Sequence, residues 1–152
     1  MISVGFTGTR KGMNERQLDQ LAVMLNALRD PRSYQDGGSQ NPFHFGGAPG
    51  ADLQARKVAK PLSYGIEWHP SPGVDLATLV QKGYADVQEL LAEKWHEVFP
   101  PLVRNHHIVD AVQMLLAAPH TDIEELRSGT WATIRYARTK GIPVVMLSRG
   151  GK

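Results

Sequence analysis

Short apolar runs alternate with amphipathic stretches along this chain. The runs are Ile2 to Phe6, Phe43 to Phe45, Tyr64 to Trp68, Val112 to Ala118 and Pro143 to Leu147. The first is short and lacks polar alternation, which is typical of a strand buried on both faces of a parallel sheet. Together the five runs predict five strands of an open, mostly parallel sheet.

Helical periodicity occupies the intervals between these runs. Asn14 and Gln17 form a capping-box start, and the apolar face of Leu18, Leu21, Ala22, Leu25 and Leu28 continues until Asp30-Pro31 ends the helix. Further helices are predicted around Leu53 to Ala59, Tyr84 to Phe99, Arg104 to Asp110 and Trp131 to Lys140. Strands that alternate with helices predict one Rossmann-like α/β domain over residues 1–152, with helices on both faces of the sheet.

Two stretches depart from this rhythm. Arg32 to Asn41 is polar and long for a connection, so it is predicted to be a surface loop. Ser71 to Pro101 begins as a loop at Pro72 and Gly73 and continues as the predicted helix Tyr84 to Phe99. We interpret residues 71–101 as a helical elaboration of the domain.

Composition narrows the class of protein. With 41% hydrophobic and 21% charged residues the chain is ordinary for a globular domain. The formal net charge is +2, and the basic residues are scattered rather than arranged in a nucleic-acid stripe. The absence of cysteine excludes disulfides, thiolate metal sites and cysteine nucleophiles. Without a signal peptide or a long apolar run, no membrane association and a cytoplasmic location are expected.

Three turns rich in small residues follow predicted strands one, two and four. The ligand-binding candidates in them are Thr7, Gly8, Thr9 and Arg10; Gly46, Gly47, Ala48, Gly50 and Asp52; and Pro119, Ser128, Gly129 and Thr130. Strand-to-helix turns also need glycine for steric reasons, so any one of the turns has a purely structural explanation. Because the carboxyl ends of parallel strands meet at one edge, the three turns together predict an anion-binding site there.

These turns, together with Arg104-Asn105 and Arg127-Ser128-Gly129-Thr130-Trp131, resemble the motifs of the SLOG superfamily. The branch that matches best is YpsA-like, near DprA and the LOG enzymes often labelled lysine decarboxylase-like. The resemblance extends from strand one to strand five. It implies a Rossmann-like fold that binds a nucleotide or nucleotide-derived ligand, commonly as a dimer, with Arg104 and Asn105 among the ligand contacts.

One departure from the family pattern bears on catalysis. LOG enzymes, which cleave the base from nucleoside monophosphates, have a Gly-Gly-x-Gly-Thr-x-x-Glu motif. Gly129-Thr130 matches its Gly-Thr, but Thr133 stands where the glutamate would fall and supplies no carboxylate for an oxocarbenium-like transition state. Asp52 is the candidate replacement, with Asp122, Glu124 and Glu125 as alternatives. Whether the protein is an enzyme therefore stays open.

Individual polar candidates each keep a structural alternative. Asp52 is a candidate contact to a ribose hydroxyl or a candidate catalytic acid. The structural alternative is an acidic residue in the first turn of a helix, where its carboxylate interacts with the free N–H groups and the helix dipole. Arg10 is a bidentate phosphate clamp or a solvated loop charge. Arg104 and Asn105 are ligand contacts or the cap of a surface helix. Ser128 lacks the elbow motif and base of a serine nucleophile.

No metal and no cofactor are expected. His106 and His107 point in different directions on a helix and make a poor chelate, even with His120 near the same edge. His44 is expected to pack in the core. Tryptophans 68 and 131 could stack on a base, although a tryptophan that opens a helix against a sheet is usually core. Trp95 is expected to take part in ordinary packing, with a dimer or lid surface as the alternative.

Three functional hypotheses follow. The first is a protein that senses, sequesters or carries a nucleotide-derived ligand, in which Thr130→Ala and Arg104→Ala weaken binding without unfolding the chain. The second is a phosphoribohydrolase-like enzyme that uses Asp52 or another carboxylate. The third is DprA-like binding of single-stranded DNA, against which the lack of a basic stripe argues, so that nucleic acid is not the expected partner.

Overall fold

The computed structural model describes residues 1–34, 40–83 and 91–150, and within these ranges six strands and five α-helices follow one another. The strands are β1 (Val4–Gly8), β2 (Pro42–Phe45), β3 (Gly65–Trp68), β4 (Lys94–Trp95), β5 (Met114–Ala118) and β6 (Val144–Met146). The helices are α1 (Glu15–Leu28), α2 (Ala51–Ala59), α3 (Leu76–Gln81), α4 (Pro101–Ala111) and α5 (Gly129–Thr139). Two 3₁₀ turns lie at Pro31–Tyr34 and Lys60–Leu62.

The six strands form one open parallel sheet in the order β4-β3-β2-β1-β5-β6. From β1 the chain adds β2, β3 and β4 on one side, and it then crosses over to place β5 and β6 on the other. The reversal falls between β1 and β5, which run in register from Val4 beside Met114 to Gly8 beside Ala118. Ligands bind at such a reversal in open α/β sheets, so the topology marks one crevice before any side chain is considered.

Side-chain alternation divides the core into two layers. Leu116 and Ala118 of β5 belong to the large cluster that includes α1 and α2, whereas Leu115 and Ala117 pack against α4 and α5. All four are fully buried. Burial of one leucine side chain stabilises the folded state by about 1.5–3 kcal/mol. The packing in each of the two layers therefore contributes to holding the sheet between the helices. The predicted Rossmann-like α/β fold with helices on both faces is confirmed.

The capping box predicted for α1 is also present, and it reaches the edge of the sheet. Asn14 Oδ1 accepts from the Gln17 backbone N–H at 2.9 Å, and Gln17 Oε1 accepts from that of Asn14 at 3.1 Å. The Gln17 side chain is fully buried, and its Nε2 donates to the carbonyl oxygens of Pro119 and Leu147 at 3.1 and 3.0 Å. One glutamine therefore ties the segments after β5 and β6 together.

The elaboration at residues 71–101 differs from the predicted helix. Residues 84–90 lie outside the described ranges, but the helix predicted from Tyr84 to Phe99 is wrong from Leu91 onward, where the chain is extended and forms β4. The sheet thus has six strands rather than five. Trp95 and Trp68 stack at 4.3 Å between ring centroids with 13° between their planes. Trp95 packs its indole against Trp68 on the neighbouring strand. Its apolar side chain therefore reflects contact within the sheet rather than the buried face of a helix.

Two element boundaries also shift. Helix α3 occupies part of the stretch interpreted as a loop, and Asp75 caps it by accepting from the Thr78 backbone N–H at 3.0 Å. The helix predicted from Arg104 begins earlier, at Pro101. Pro101 is the first residue of this helix, and proline favours that position because the residue there needs no intrahelical N–H bond.

Candidate functional site

A cavity of about 230 Å³ opens at the reversal of strand order, beside the carboxyl ends of β1, β2 and β5. The sequence-predicted residues around it are Thr7, Gly8, Thr9, Arg10, Gly46, Ala48, Asp52, Arg104, Asn105, Ser128, Gly129 and Thr130. Gly47, Gly50 and Pro119 were also predicted as ligand contacts but do not line it. The three turns therefore do meet at one place, as their position after parallel strands suggested.

Four further residues line the same cavity and were not among the predicted ligand contacts: Phe6, Pro101, Leu102 and His120. Phe6 is the last residue of the first apolar run, which the sequence predicts to be a strand buried on both faces. Pro101 and Leu102 were missed because the start of α4 was placed three residues too late. A double proline read as a helix start would have brought them to this edge.

The turn after β1 has a backbone that is held by hydrogen bonds and an arginine side chain that is exposed. Thr9 is buried, its carbonyl oxygen accepts from the Ala51 N–H at 3.0 Å and its Oγ1 accepts from the Lys11 N–H at 3.1 Å. Arg10 is exposed at the rim, and its guanidinium has no hydrogen-bond or ion-pair partner among the residues that the structure describes. Thr9 thus serves the fold, whereas Arg10 is available to an anion.

The glycines after β2 are required by the protein itself. A side chain at Gly46 would collide with the Arg104 guanidinium, and one at Gly47, where φ is +75°, would collide with the Trp68 indole. Gly50 has φ of +98° and lies against the Arg10 backbone. The sequence makes these glycines ligand-binding candidates, but close packing within the chain accounts for all three of them.

Asp52 and Arg104 form the buried charged wall of the cavity. Asp52 Oδ2 accepts from the Ala48 backbone N–H at 3.3 Å. Burial raises the pKa of the Asp52 carboxyl to about 6, and the positive charge of Arg104 and the N–H groups of Ala48 and Gly47 oppose that rise. The group therefore exchanges a proton close to neutral pH.

Arg104 is a buried structural residue rather than a surface cap. Its Nη1 donates to the carbonyl oxygens of Gly46 and His69 at 3.0 and 3.2 Å, and its Nε donates to Asn105 Oδ1 at 2.7 Å. Burial lowers the pKa of Arg104, and the nearby Asp52 carboxylate raises it again. An arginine keeps its proton through such a shift. Arg104 supplies positive charge to the cavity wall while its donors hold the loops after β2 and β3.

Helix α5 points its amino terminus at the cavity. Ser128 caps the helix by accepting from the Trp131 N–H at 3.2 Å. The N–H groups of Gly129 and Thr130 lie in the first turn, and within the described part of the chain neither has an acceptor. An added Cβ at Gly129 would meet no atom within 4 Å apart from its neighbours in the same helical turn. Free N–H groups at the positive end of a helix dipole favour an anion.

Two hydroxyls beside these N–H groups are buried without a partner. Thr7 and Thr130 are each 8% exposed and line the cavity. No hydrogen bond of either hydroxyl to another described residue is present. Buried polar groups in native proteins are nearly always hydrogen-bonded, so these hydroxyls are suited to a polar ligand or to water in the cavity.

Three further residues singled out from the sequence, Thr133 and Trp131 of α5 and Trp68 of β3, belong to the core. Thr133, at the position of the LOG glutamate, is 2% exposed, and its Oγ1 donates to the Gly129 carbonyl oxygen at 2.9 Å. Trp131 is 4% exposed and donates from Nε1 to the Thr121 carbonyl oxygen at 3.2 Å. Trp68 is fully buried and donates to the Gly46 carbonyl oxygen at 3.1 Å. Neither indole has a free face for a base.

Fold and site together define a doubly wound α/β protein with a polar cavity at its switch point. No family model and no curated protein match the chain. No helix in the described ranges is long and apolar enough to cross a membrane.

Solved structures share the fold. DNA processing protein A (DprA) from Streptococcus pneumoniae superposes with a TM-score of 0.64 at 16% identity, over 96% of this chain and 50% of that one. DprA from Helicobacter pylori, in a structure that concerns its single-stranded DNA binding mode, gives 0.59 at 19% identity, over 95% and 64%. The structural-genomics target TM1055 gives 0.57 at 14%, over 95% and 72%.

At these identities the comparisons show a shared Rossmann-like fold. The chain spans half and about two thirds of the two DprA chains, so the likeness concerns only part of those proteins.

Proposed function

We propose that the cavity binds a nucleotide or nucleotide-derived molecule through its phosphate. The observation that carries the proposal is the set of unpaired polar groups at the amino terminus of α5. The N–H groups of Gly129 and Thr130 and the Thr130 hydroxyl have no partner in the described ranges, and all face the switch-point crevice. A phosphate group satisfies several such donors at once, and the helix dipole adds to the attraction.

The other walls suit the remainder of a mononucleotide. Arg10 is free at the rim for a bidentate contact to phosphate oxygens. Asp52 and Thr7 offer an acceptor and a hydroxyl to a ribose. The volume of about 230 Å³ lies below the roughly 300–1,000 Å³ of typical small-molecule pockets. We therefore expect the cavity to take the phosphate and sugar of a mononucleotide rather than the whole molecule.

Calorimetry with a panel of nucleoside mono-, di- and triphosphates, cyclic nucleotides and inorganic phosphate tests this proposal. Gly129→Ala is the sharpest variant, because a methyl group there meets no protein atom beyond its own helical turn and alanine favours a helix. We expect unchanged stability and at least tenfold weaker binding, which corresponds to about 1.4 kcal/mol. Thr139→Ala, an exposed change in the last turn of α5, is the matched control. Equal affinity in the two variants would place the ligand elsewhere.

A second candidate is hydrolysis of the N-glycosidic bond, and the Asp52 carboxyl is the observation that favours it. A buried acid with a pKa of about 6 is matched to proton transfer near neutral pH. Release of free base from nucleoside monophosphates, abolished in Asp52→Asn, would establish catalysis. Tight binding by the wild-type protein without any release of base would leave binding as the function.

The DprA likeness adds a third outcome to the same experiments. The H. pylori structure concerns single-stranded DNA binding by that protein, which is in tension with our expectation that nucleic acid is not a partner. Salt-sensitive retention of labelled single-stranded DNA on filters, competed by the mononucleotide, would make the cavity a backbone-phosphate site. Light scattering of the same samples tests the dimer implied by the family resemblance.

A further inference from the structure

Three neighbouring strands each place a histidine on the same face of the sheet. His44 lies in β2, His69 directly follows β3 and His96 directly follows β4. Glu67 of β3 pairs in register with His44. The alternate positions Phe43, Phe45, Ile66, Trp68 and Trp95 all join the apolar layer on the opposite face. This half of the sheet is therefore aromatic on one side and rich in imidazole on the other.

The three imidazoles lie within reach of a single ion. His44 Nδ1 is 2.7 Å from His69 Nε2, and the rings of His69 and His96 stack at 3.9 Å between centroids. One ligand atom from each of the three lies within 4.8 Å of the others. A tetrahedral ion with metal–nitrogen distances of about 2.0–2.1 Å separates its ligands by roughly 3.4 Å. That separation lies between the observed 2.7 Å from His44 Nδ1 to His69 Nε2 and the 4.8 Å that encloses all three ligand atoms.

Glu67 completes the arrangement. Its Oε1 lies 2.8 Å from His96 Nε2, and its Oε2 lies 3.6 Å from His44 Nε2. His44 therefore turns one ring nitrogen toward His69 and the other toward a carboxylate. Metal-bound histidines almost always use their second ring nitrogen in this way, because the carboxylate fixes the tautomer and the orientation of the ring.

We propose that His44, His69 and His96 bind one divalent transition metal ion, with Zn²⁺ as the best match, and that Glu67 orients the ligands. Imidazole donors suit zinc, copper and nickel, whereas magnesium and calcium prefer oxygen. His69 and His96 also line a second cavity of about 420 Å³ that includes Phe99 and Asp110. That cavity gives an ion a route in and leaves a fourth coordination position for water or a small ligand.

His106, His107 and His120, the histidines weighed as a chelate from the sequence, have other neighbours. His106 stacks on Tyr136, His107 contacts the edge of Phe99, and His120 Nε2 lies 3.4 Å from Lys11 Nζ. The proposed ion site is separate from the switch-point cavity. The two are joined through His69, whose carbonyl oxygen accepts from Arg104.

Zinc titration into the untagged, chelator-treated full chain tests the proposal by calorimetry. We expect one ion per chain in the wild type. Affinity should fall at least a hundredfold in His96→Gln, and about 10–100-fold in Glu67→Gln if that carboxylate only orients the ligands. His106→Gln is the matched control, because that ring lies on α4 against Tyr136, and it should bind like the wild type.

Cobalt(II) substitution provides a second readout that does not depend on affinity. A four-coordinate histidine site gives intense visible absorption, which a loosely bound six-coordinate ion does not. We expect that absorption in the wild type and in His106→Gln, and its loss in His96→Gln. Circular dichroism confirms that the variants are folded. Substoichiometric zinc binding by folded wild type, or equal affinity in His96→Gln and His106→Gln, would overturn the site.

Discussion

Arg104 Nη1 donates to the carbonyl oxygen of Gly46 at 3.0 Å, and this bond joins the first turn of α4 to the loop after β2. Gly46 has no side chain because the guanidinium occupies the space that a Cβ would need. This contact explains why Arg104 is buried at the back of the cavity although it is charged: its guanidinium has a hydrogen-bond acceptor and a space left by the glycine. Arg104 shapes the site by holding two loops, and its charge faces Asp52.

Replacement of Arg104 by alanine is therefore expected to affect stability as well as binding. The sequence alone suggested that Arg104→Ala would leave the fold intact. The structure predicts a fall of about 2–5 kcal/mol in the free energy of unfolding, because the carbonyl oxygens of Gly46 and His69 lose their donor and Asp52 loses its counter-charge. Urea denaturation measures the change.

Arg10→Ala is the matched comparison for Arg104. The Arg10 side chain is exposed and without a partner in the described ranges, so its loss should change stability by no more than about 0.5 kcal/mol. Ligand affinity should nevertheless fall. If both variants were equally stable, the assignment of Arg104 as a structural residue would be wrong.

Gln17 and Gln20 allow a test of buried hydrogen bonding within one helix. Gln17 is fully buried and donates to Pro119 and Leu147, whereas the partly exposed Gln20 donates to the Ser148 carbonyl oxygen at 2.9 Å. Gln17→Ala leaves two buried carbonyl oxygens without a donor, so a loss of about 2–4 kcal/mol is expected. Gln20→Ala should lose less than about 1 kcal/mol, because water replaces its partner. Similar losses in thermal unfolding would contradict this distinction.

Asp52 should give the protein a measurable pH dependence. Its pKa rises from 3.8 to about 6 in the folded state, so the folded state holds a proton that the unfolded chain has released between those values. Stability due to this group is therefore present below pH 3.8 and is lost as pH rises toward 6, by about 3 kcal/mol in all. Asp52→Asn removes this dependence.

The test for Asp52 is the difference in unfolding free energy between wild type and Asp52→Asn, measured from pH 4 to 7.5. That difference cancels the titration of the other carboxyl groups. As pH rises from 4 to about 6, the asparagine variant should become more stable relative to the wild type. A difference that does not vary with pH would mean that the carboxyl titrates normally.

Much of the fold could be predicted from local pattern. The buried strands next to β1, the Asn14–Gln17 cap and the meeting of three turns depend on short-range chemistry and on the geometry of parallel strands, both of which are legible in the sequence. Strand β4 was not predicted, because two residues at a sheet edge carry no periodicity of their own. Its position depends on the distant indole of Trp68.

The assignment of individual roles in the site also depended on tertiary contacts. Gly46 and Gly129 both follow a strand as part of a turn or helix start. The space beside the Gly46 Cα is occupied by the Arg104 guanidinium, whereas the space beside the Gly129 Cα is open. Only contacts with residues distant in the sequence distinguish the two glycines. The histidine face had a signal that was overlooked. Phe43-His44-Phe45 and Trp68-His69 alternate apolar and imidazole side chains, as a strand with two different faces should.

The stacked pair Trp68 and Trp95 tests whether β4 belongs to the sheet. Trp95 is partly exposed, while Trp68 is fully buried beneath it. Stacked aromatic pairs contribute about 0.5–1.5 kcal/mol beyond the area they bury, so Trp95→Ala should lower the free energy of unfolding by about 2 kcal/mol. Two indoles this close also couple in far-ultraviolet circular dichroism.

That coupled signal should be present in the wild type and disappear in Trp95→Phe, which keeps an aromatic ring at the sheet edge. Trp131→Phe is the control, because Trp131 packs on the other face of the sheet with Ala117 and Ile134 and has no indole neighbour among the described residues. The signal should survive in that variant. If the signal persists in Trp95→Phe, it does not come from this indole pair. Absence of the signal from the wild type would mean that residues 94–95 do not extend the sheet, and His96 would then not be held beside His69.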